Sequence, residues 1–244
     1  MDKICLIHQS CGIGDIFYSI GIARHYQKLG YKIIWPVIKE LLFLKDYIPD
    51  IDFCLEDGEF EKKEYYIDSK SNFIYTDNFV YLPIYKSTEI VKDLTMPSKY
   101  KASNIFTNTW RENFIWNRDI KKENELYYDI LDLTDNEHYI FINQNFITPP
   151  RTLKFPLNID FNNNKIINMN YIDGYNVLDW SKVIEKASGI ITIDTCILYM
   201  IDKLNCQAEY FYCYTRNGVS TYNEVKDIFQ TQWTWLDINN NKLN

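Results

Sequence analysis

The chain has 244 residues, 46% of them apolar and 24% charged, with a net charge of −7. These are the values of a globular protein with room for one large domain or two compact ones. The acidic balance excludes general nucleic-acid binding, which rests on clustered Lys and Arg; the pair Lys121-Lys122 is offset at once by Glu123 and Glu125. No apolar run approaches the roughly 20 residues of a membrane-spanning helix. The opening MDKICLIHQSCG is too soon interrupted by polar residues to act as a secretion signal. The six cysteines form no CxxC pair, and His8, His25 and His138 supply no zinc-ligand spacing. Reduced thiols and a cytoplasmic location are expected.

Lys3 to His8, KICLIH, reads as a buried strand leading into a glycine-bearing turn. From Asp15 to Leu29 apolar residues recur near helical spacing (Ile16, Phe17, Ile20, Ala23, Tyr26) and the pattern stops at Gly30. Tyr31 to Val37 is a second strand, cut short by Pro36. Ile38 to Tyr47 reads as a helix and Ile51 to Leu55 as a third strand. Strand and helix alternate as in a parallel, doubly wound sheet. Farther on, Phe73–Tyr75 and Phe79–Leu82 read as strands, Ile90–Leu94 and Trp110–Trp116 as helical turns, and Lys121–Glu125 as a solvated charged segment.

A second alternating series starts at the strand Tyr139–Asn143. ITPPRTLKFP follows as a loop, because Pro149, Pro150 and Pro156 exclude regular structure. Lys165–Met169 is a strand, Asp179 caps a helix, Gly189–Ile193 is a strand of β-branched residues, Cys196–Leu204 a helix and Glu209–Tyr214 a strand. The pattern divides the chain into an N-terminal domain, 1–134, and a C-terminal domain, 135–244.

Asp15 and Asp194 each follow a strand, one in each half, where ligands of open parallel sheets bind. Each is either a helix cap or a site carboxylate. The order of residues around them carries a resemblance. ICLIHQSCGIGDIFYSIGIARHY resembles the N-terminal signature of the ADP-heptose:lipopolysaccharide heptosyltransferases, glycosyltransferase family 9. NVLDWSKVIEKASGIITIDTCILYMIDKL resembles that family's helix, strand, Asp-Thr-Gly and helix, and RTLKFP resembles its basic loop.

The resemblance implies an α/β protein of GT-B fold, two Rossmann-like domains with parallel sheets facing a central cleft. The implied activity is inverting sugar transfer from a nucleotide-sugar donor to a hydroxyl of a glycan or glycoconjugate, without metal or other cofactor. On this match Asp15 is the base that takes the acceptor's proton. Gly12 and Gly14 form a tight turn that presents it, and Tyr18 stands beside it on the acceptor side. Lys154, in the loop that resembles the family's basic loop, and the helix start at Asp194-Thr195 would stabilise the departing diphosphate; Thr195 offers a hydroxyl and an amide to a phosphate or ribose, and Arg151 is either an aid to Lys154 or a surface residue. Asp194 would orient that loop or bind a sugar hydroxyl, since it repels phosphate.

Three positions depart from the family pattern. Tyr18 and Tyr199 stand where the family has His, and Cys196 replaces the glycine that lets a phosphate approach the backbone. The donor base and sugar are therefore left open. Asp173 is the one candidate for an acidic ribose contact, and Trp110, Trp116 and Tyr81 are either core residues or stacking platforms for sugar rings. Two other functions compete: a degenerate relative that binds a nucleotide or glycan without turnover, and a dinucleotide-dependent oxidoreductase. The second is disfavoured because Phe17 occupies the third glycine position of G-x-G-x-x-G.

Overall fold

The computed structural model describes residues 3–68, 70–146, 151–155 and 164–243, and they form two compact units, Met1–Asn117 and Arg118–Asn244. In unit 1 the elements run β1 (Lys3–Ile7), α1 (Ile13–Lys28), β2 (Tyr31–Val37), α2 (Leu44–Tyr47), β3 (Asp52–Leu55), β4 (Ile74–Tyr75), β5 (Phe79–Leu82), α3 (Ser87–Val91), α4 (Thr95–Ala102) and α5 (Trp110–Asn113). The sheet order is β3-β2-β1-β5-β4, parallel except for the edge strand β4.

The strands are unbroken apolar runs because both faces of a parallel sheet are covered; Cys5 to Ile7 and Ile33 to Val37 are buried throughout. Pro36 does not end β2. It lies past the last β1 pairing, Leu6 with Ile34, so its missing N–H costs no bond to that strand. The expected helix Ile38–Tyr47 is instead a 3-10 turn, Lys39–Leu41, followed by the single turn α2. Helix α4 carries no apolar stripe that sequence pattern would detect, because TMPSKYKA buries Ser98, Lys99 and Tyr100.

Unit 2 continues with α6 (Ile120–Asn124), a π-helical turn (Glu125–Ile130), β6 (Tyr139–Asn143), β7 (Asn145–Phe146), β8 (Arg151–Thr152), β9 (Lys165–Asn168), α7 (Ser181–Lys186), β10 (Gly189–Ile193), α8 (Cys196–Lys203), β11 (Phe211–Tyr214), α9 (Val219–Val225) and β12 (Thr234–Leu236). Its sheet, β12-β11-β10-β6-β9, is parallel throughout. Residues 118–134, expected with the first domain, pack here. Arg118 pairs with Glu123 and, at 2.8 Å, with Glu185 ahead of β10; Lys182 Nζ donates to Asn124 Oδ1 at 2.8 Å.

Two further local expectations are corrected. Part of the expected loop after β6 is an antiparallel hairpin, with Asn145 opposite Thr152 and Phe146 opposite Arg151; Ile147–Pro150 and Pro156 lie outside the described residues. Asp179 is not the cap of its helix. The N-cap of α7 is Trp180; Asp179 lies in the 3-10 turn Val177–Trp180 before it, and its carboxylate accepts the N–H of Asn176, the cap of that turn, at 2.8 Å to close a capping box.

Both units place a topological switch point beside their first strand. In unit 1 the chain moves from β2 and β3 on one side of β1 to β5 on the other. In unit 2 it moves from β9 on one side of β6 to β10 on the other.

Gly21, inside α1, is enforced by packing. A Cβ there would lie 2.1 Å from the hydroxyl of Tyr100, which donates to the Tyr18 carbonyl at 3.0 Å. Helix propensity alone predicts that Gly21→Ala stabilises by about 1 kcal/mol. Overpacking reverses the sign, and the variant should lose about 1–3 kcal/mol in urea unfolding, part of it recovered in the double variant with Tyr100→Phe.

Candidate active site

In unit 1 the loop after β1 runs through Gln9 to Gly12 and turns into α1. Gly12 is the N-cap of that helix and is left-handed, with φ of +76°. A Cβ at Gly12 would sit 2.6 Å from Asp15 Oδ2, so the position needs glycine for its backbone and for the carboxylate lying over it. Gly14 is already helical and contributes nothing to the turn, a correction to the paired role expected for the two glycines. Asp15 lies in the first turn of α1, where the free N–H groups favour a negative charge.

The Asp15 carboxylate is not held by α1 alone. Its Oδ1 is 3.0 Å from Lys99 Nζ, and Lys99, on α4, is 2% exposed. The same ammonium donates to Gln9 Oε1 at 2.8 Å, and Gln9 Nε2 donates to the Cys11 carbonyl at 2.7 Å. One buried cation thus anchors both ends of the loop, and Asp15 keeps part of its surface open to solvent.

A second buried group stands at the same sheet edge. His8 Nε2 is 2.6 Å from Glu56 Oε1, beyond the end of β3, and His8 Nδ1 is 3.1 Å from the hydroxyl of Tyr81 on β5. Tyr81 is therefore a core residue with a polar tip. Tyr18 does not reach this edge: it is buried against Tyr100 and Trp110, with ring centroids 5.2 and 6.4 Å away. Trp110 is also core, and Trp116 stacks on Phe114 at 4.8 Å.

In unit 2 the corresponding edge is built from the ends of β6, β10 and β11. Asn143 Nδ2 lies 3.2 Å from both Thr192 Oγ1 and Thr195 Oγ1. Thr195 is the N-cap of α8 without a side-chain cap bond, so its half-buried hydroxyl is held by the Asn143 amide and donates toward the Ile193 carbonyl. Asp194 is buried. Its Oδ1 accepts from the Arg216 N–H at 3.0 Å and from Arg216 Nε at 2.9 Å, while Oδ2 is buried without a partner. Burial pushes the Asp194 carboxyl above its ordinary value, against the pull of Arg216.

The remaining expected residues separate. Cys196 opens α8, with its thiol pushed up by burial to about 12, so it stays protonated. Tyr199 is buried and packs edge-on against Phe229 at 5.0 Å. Lys154 is exposed and precedes Phe155, whose ring stacks on Tyr214 at 4.0 Å and 7°. Leu153 N donates to the Gln144 carbonyl, so the basic loop is pinned on both sides of Lys154. Arg151 has its backbone in β8, and its side chain lies outside the described residues. Asp173 is exposed and accepts from the neighbouring Tyr171 hydroxyl at 3.3 Å. Among the described residues no three His, Cys, Asp or Glu side chains are placed to hold a metal ion.

Two five-stranded α/β units, each with its polar cluster at a switch point, have counterparts among solved structures. A family 9 glycosyltransferase from Veillonella parvula matches 96% of this chain and 87% of its own, with a TM-score of 0.57 and 11% identity. This is the GT-B fold. Two heptosyltransferases match less closely, each at 11% identity. TibC, a dodecameric iron-containing enzyme in complex with ADP-D-β-D-heptose, matches over 91% of this chain and 60% of its own, with a TM-score of 0.49. E. coli WaaC with ADP matches over 87% and 86%, with a TM-score of 0.40. No family model and no curated protein sequence matches the chain.

Sequence pattern does not single out Lys99, His8 with Glu56, or Arg216 for these two clusters. Lys99 and Arg216 are far in sequence from the carboxylates they hold, and no local motif announces them. The signal for Arg216 is positional, two residues past the last strand residue of an α/β unit.

Because burial raises the Asp194 carboxyl, ionising it costs the folded state. Its contribution to stability is fully present below about pH 3.8, the unfolded value, and is lost as pH rises through the folded-state value. Urea unfolding of wild type and Asp194→Asn between pH 4 and 7 should show the wild type losing ground to the variant as pH rises; a constant difference would overturn the assignment.

Proposed function

We propose that the chain is an inverting, metal-independent glycosyltransferase. It moves a sugar from a nucleotide-sugar donor in the cytoplasm to a hydroxyl of a glycan or glycoconjugate. The observation that carries this reading is the setting of Asp15: a partly exposed carboxylate at the switch point of unit 1, anchored by a buried ammonium. The GT-B fold gives that setting its context.

In the proposed reaction the acceptor hydroxyl attacks the anomeric carbon while Asp15 Oδ2 takes its proton. The bond from that carbon to the donor phosphate breaks on the opposite face, and the nucleoside diphosphate leaves with the electron pair. Oδ2 is suited to the task because Oδ1 is committed to Lys99. Unit 2 supplies the donor contacts. Lys154 and the first turn of α8, entered through Thr195, carry the positive charge that stabilises the departing diphosphate. Asp194, buried and tied to Arg216, orients the loop after β10.

The test is transfer or donor hydrolysis across a panel of nucleotide sugars. Asp15→Asn should lower the rate by about 10²–10⁴-fold, the usual value of a general base, with diphosphate binding retained. Removing Asp15 alone strands the buried Lys99 charge, which is strongly destabilising. The double variant Asp15→Asn/Lys99→Met should therefore recover stability without recovering activity. An active Asp15→Asn would overturn the assignment of the base. Wild type that binds diphosphates without any turnover would instead make this a nucleotide-binding module.

A further inference from the structure

Unit 2 carries a cation that the basic loop and the α8 turn do not account for. Arg216 follows β11 and reaches back along the carboxyl edge to Asp194 at the end of β10. Both of its recorded polar contacts are made from one side: the main-chain N–H at 3.0 Å and Nε at 2.9 Å, both to Asp194 Oδ1. The guanidinium carbon lies 5.3 Å from the centre of the Phe146 ring, on the hairpin strand β7. The planar group is thus clamped by a carboxylate at its inner edge and supported by an aromatic ring.

Despite the clamp the side chain is 37% exposed. Among the described residues nothing accepts from its two terminal nitrogens, and the Nε bond to Asp194 fixes the plane in which they lie. The edge they form has the planar, two-donor geometry that pairs with a phosphate. It also stands where an anion would be welcome. Thr195, next to Asp194, starts α8 with no side-chain cap. Phe155 stacks on Tyr214, two residues before Arg216, so the strip bearing Lys154 is fastened to the strand that carries Arg216.

We propose that Arg216 binds the diphosphate of the donor through its terminal nitrogens, with Asp194 as the positioning residue that holds the guanidinium in place. This assignment rests on the glycosyltransferase reading for the ligand's identity and on unit 2 alone for its geometry. It gives Asp194 a role beside a phosphate that its charge would otherwise oppose. Its Oδ1 is turned to Arg216, so the guanidinium offsets the carboxylate's charge beside the ligand. It also explains how Tyr199 can be spent on core packing: the cation comes from the loop after β11, not from α8.

Isothermal titration with ADP, GDP, UDP and CDP, each beside its parent nucleoside, tests the assignment. For whichever diphosphate binds wild type best, Arg216→Met should weaken binding tenfold or more and leave the nucleoside unaffected. Arg216→Lys should recover only part, because an ammonium cannot hold Asp194 and a phosphate with one rigid fork. Arg216→Met/Asp194→Asn removes the buried carboxylate that the single variant leaves unpaired, and it should show the same tenfold loss in a protein of near wild-type stability. Asp194→Ala, which takes away the oxygen that holds the guanidinium, should weaken the diphosphate about threefold or more with the nucleoside unaffected, and Asp194→Asn, whose Oδ1 still accepts from Arg216, should restore most of that loss. Unchanged diphosphate affinity in both Arg216→Met variants would overturn the role of Arg216 alone. A wild type that binds none of the four diphosphates would overturn the donor reading as well.

Discussion

A buried ammonium has few ways to exist, and the loop after β1 is organised around one of them. Lys99 is taken out of water by α4, and the cost of that burial is met only if its charge is paired and its protons are accepted. Gln9 and Asp15 do this together, one from the end of β1 and one from the first turn of α1. The requirement propagates. Asp15 must lie back over Gly12, so Gly12 can carry no side chain. Gln9 must stay extended toward Lys99, so the loop between them is held at both ends. The placement of the candidate base is thus a by-product of satisfying a cation that comes from a helix remote in sequence.

The second unit solves the same problem with the signs reversed. There the buried group is a carboxylate, Asp194, and the partner is a half-exposed guanidinium from the next strand's loop. In each unit a charged group from a later element stabilises the loop at the switch point. Parallel sheets favour this arrangement because every strand ends at the same edge, bringing loops that are distant in sequence within reach of one another.

Much of the architecture could be read from the sequence because it depends on apolar runs. KICLI, YKIIWPV, YIFIN and GIITI are buried on both faces and announce themselves as parallel strands. The pattern failed where burial involves polar groups or where elements are short. Helix α4 buries a serine, a lysine and a tyrosine, and α9 buries none of its residues, so neither shows an apolar stripe. The boundary of the units was misplaced for a similar reason: residues 118–134 are committed to the second unit by the ion pairs of Arg118, which pattern does not reveal. At the sites, Gly12, Asp15, Asp194 and Thr195 were legible because a strand, a short loop and a helix start identify them locally. Their partners Lys99 and Arg216 were not, since the pairings span 84 and 22 residues. Tyr18 and Tyr199 were drawn to the sites by their helical position and were claimed by the core because their faces of α1 and α8 point inward.

The stack of Phe155 on Tyr214 has a consequence that reaches the end of the chain. The Tyr214 hydroxyl donates to Asn240 Oδ1 at 2.7 Å, and Asn240 sits in a left-handed turn just after β12. One tyrosine therefore grips the basic loop by its ring and the tail by its hydroxyl. Whatever orders the loop also orders the tail, and by thermodynamic reciprocity whatever grips the tail biases the loop to the same degree. A contact made at Asn240 thereby acquires a means of influencing Phe155 and its neighbour Lys154.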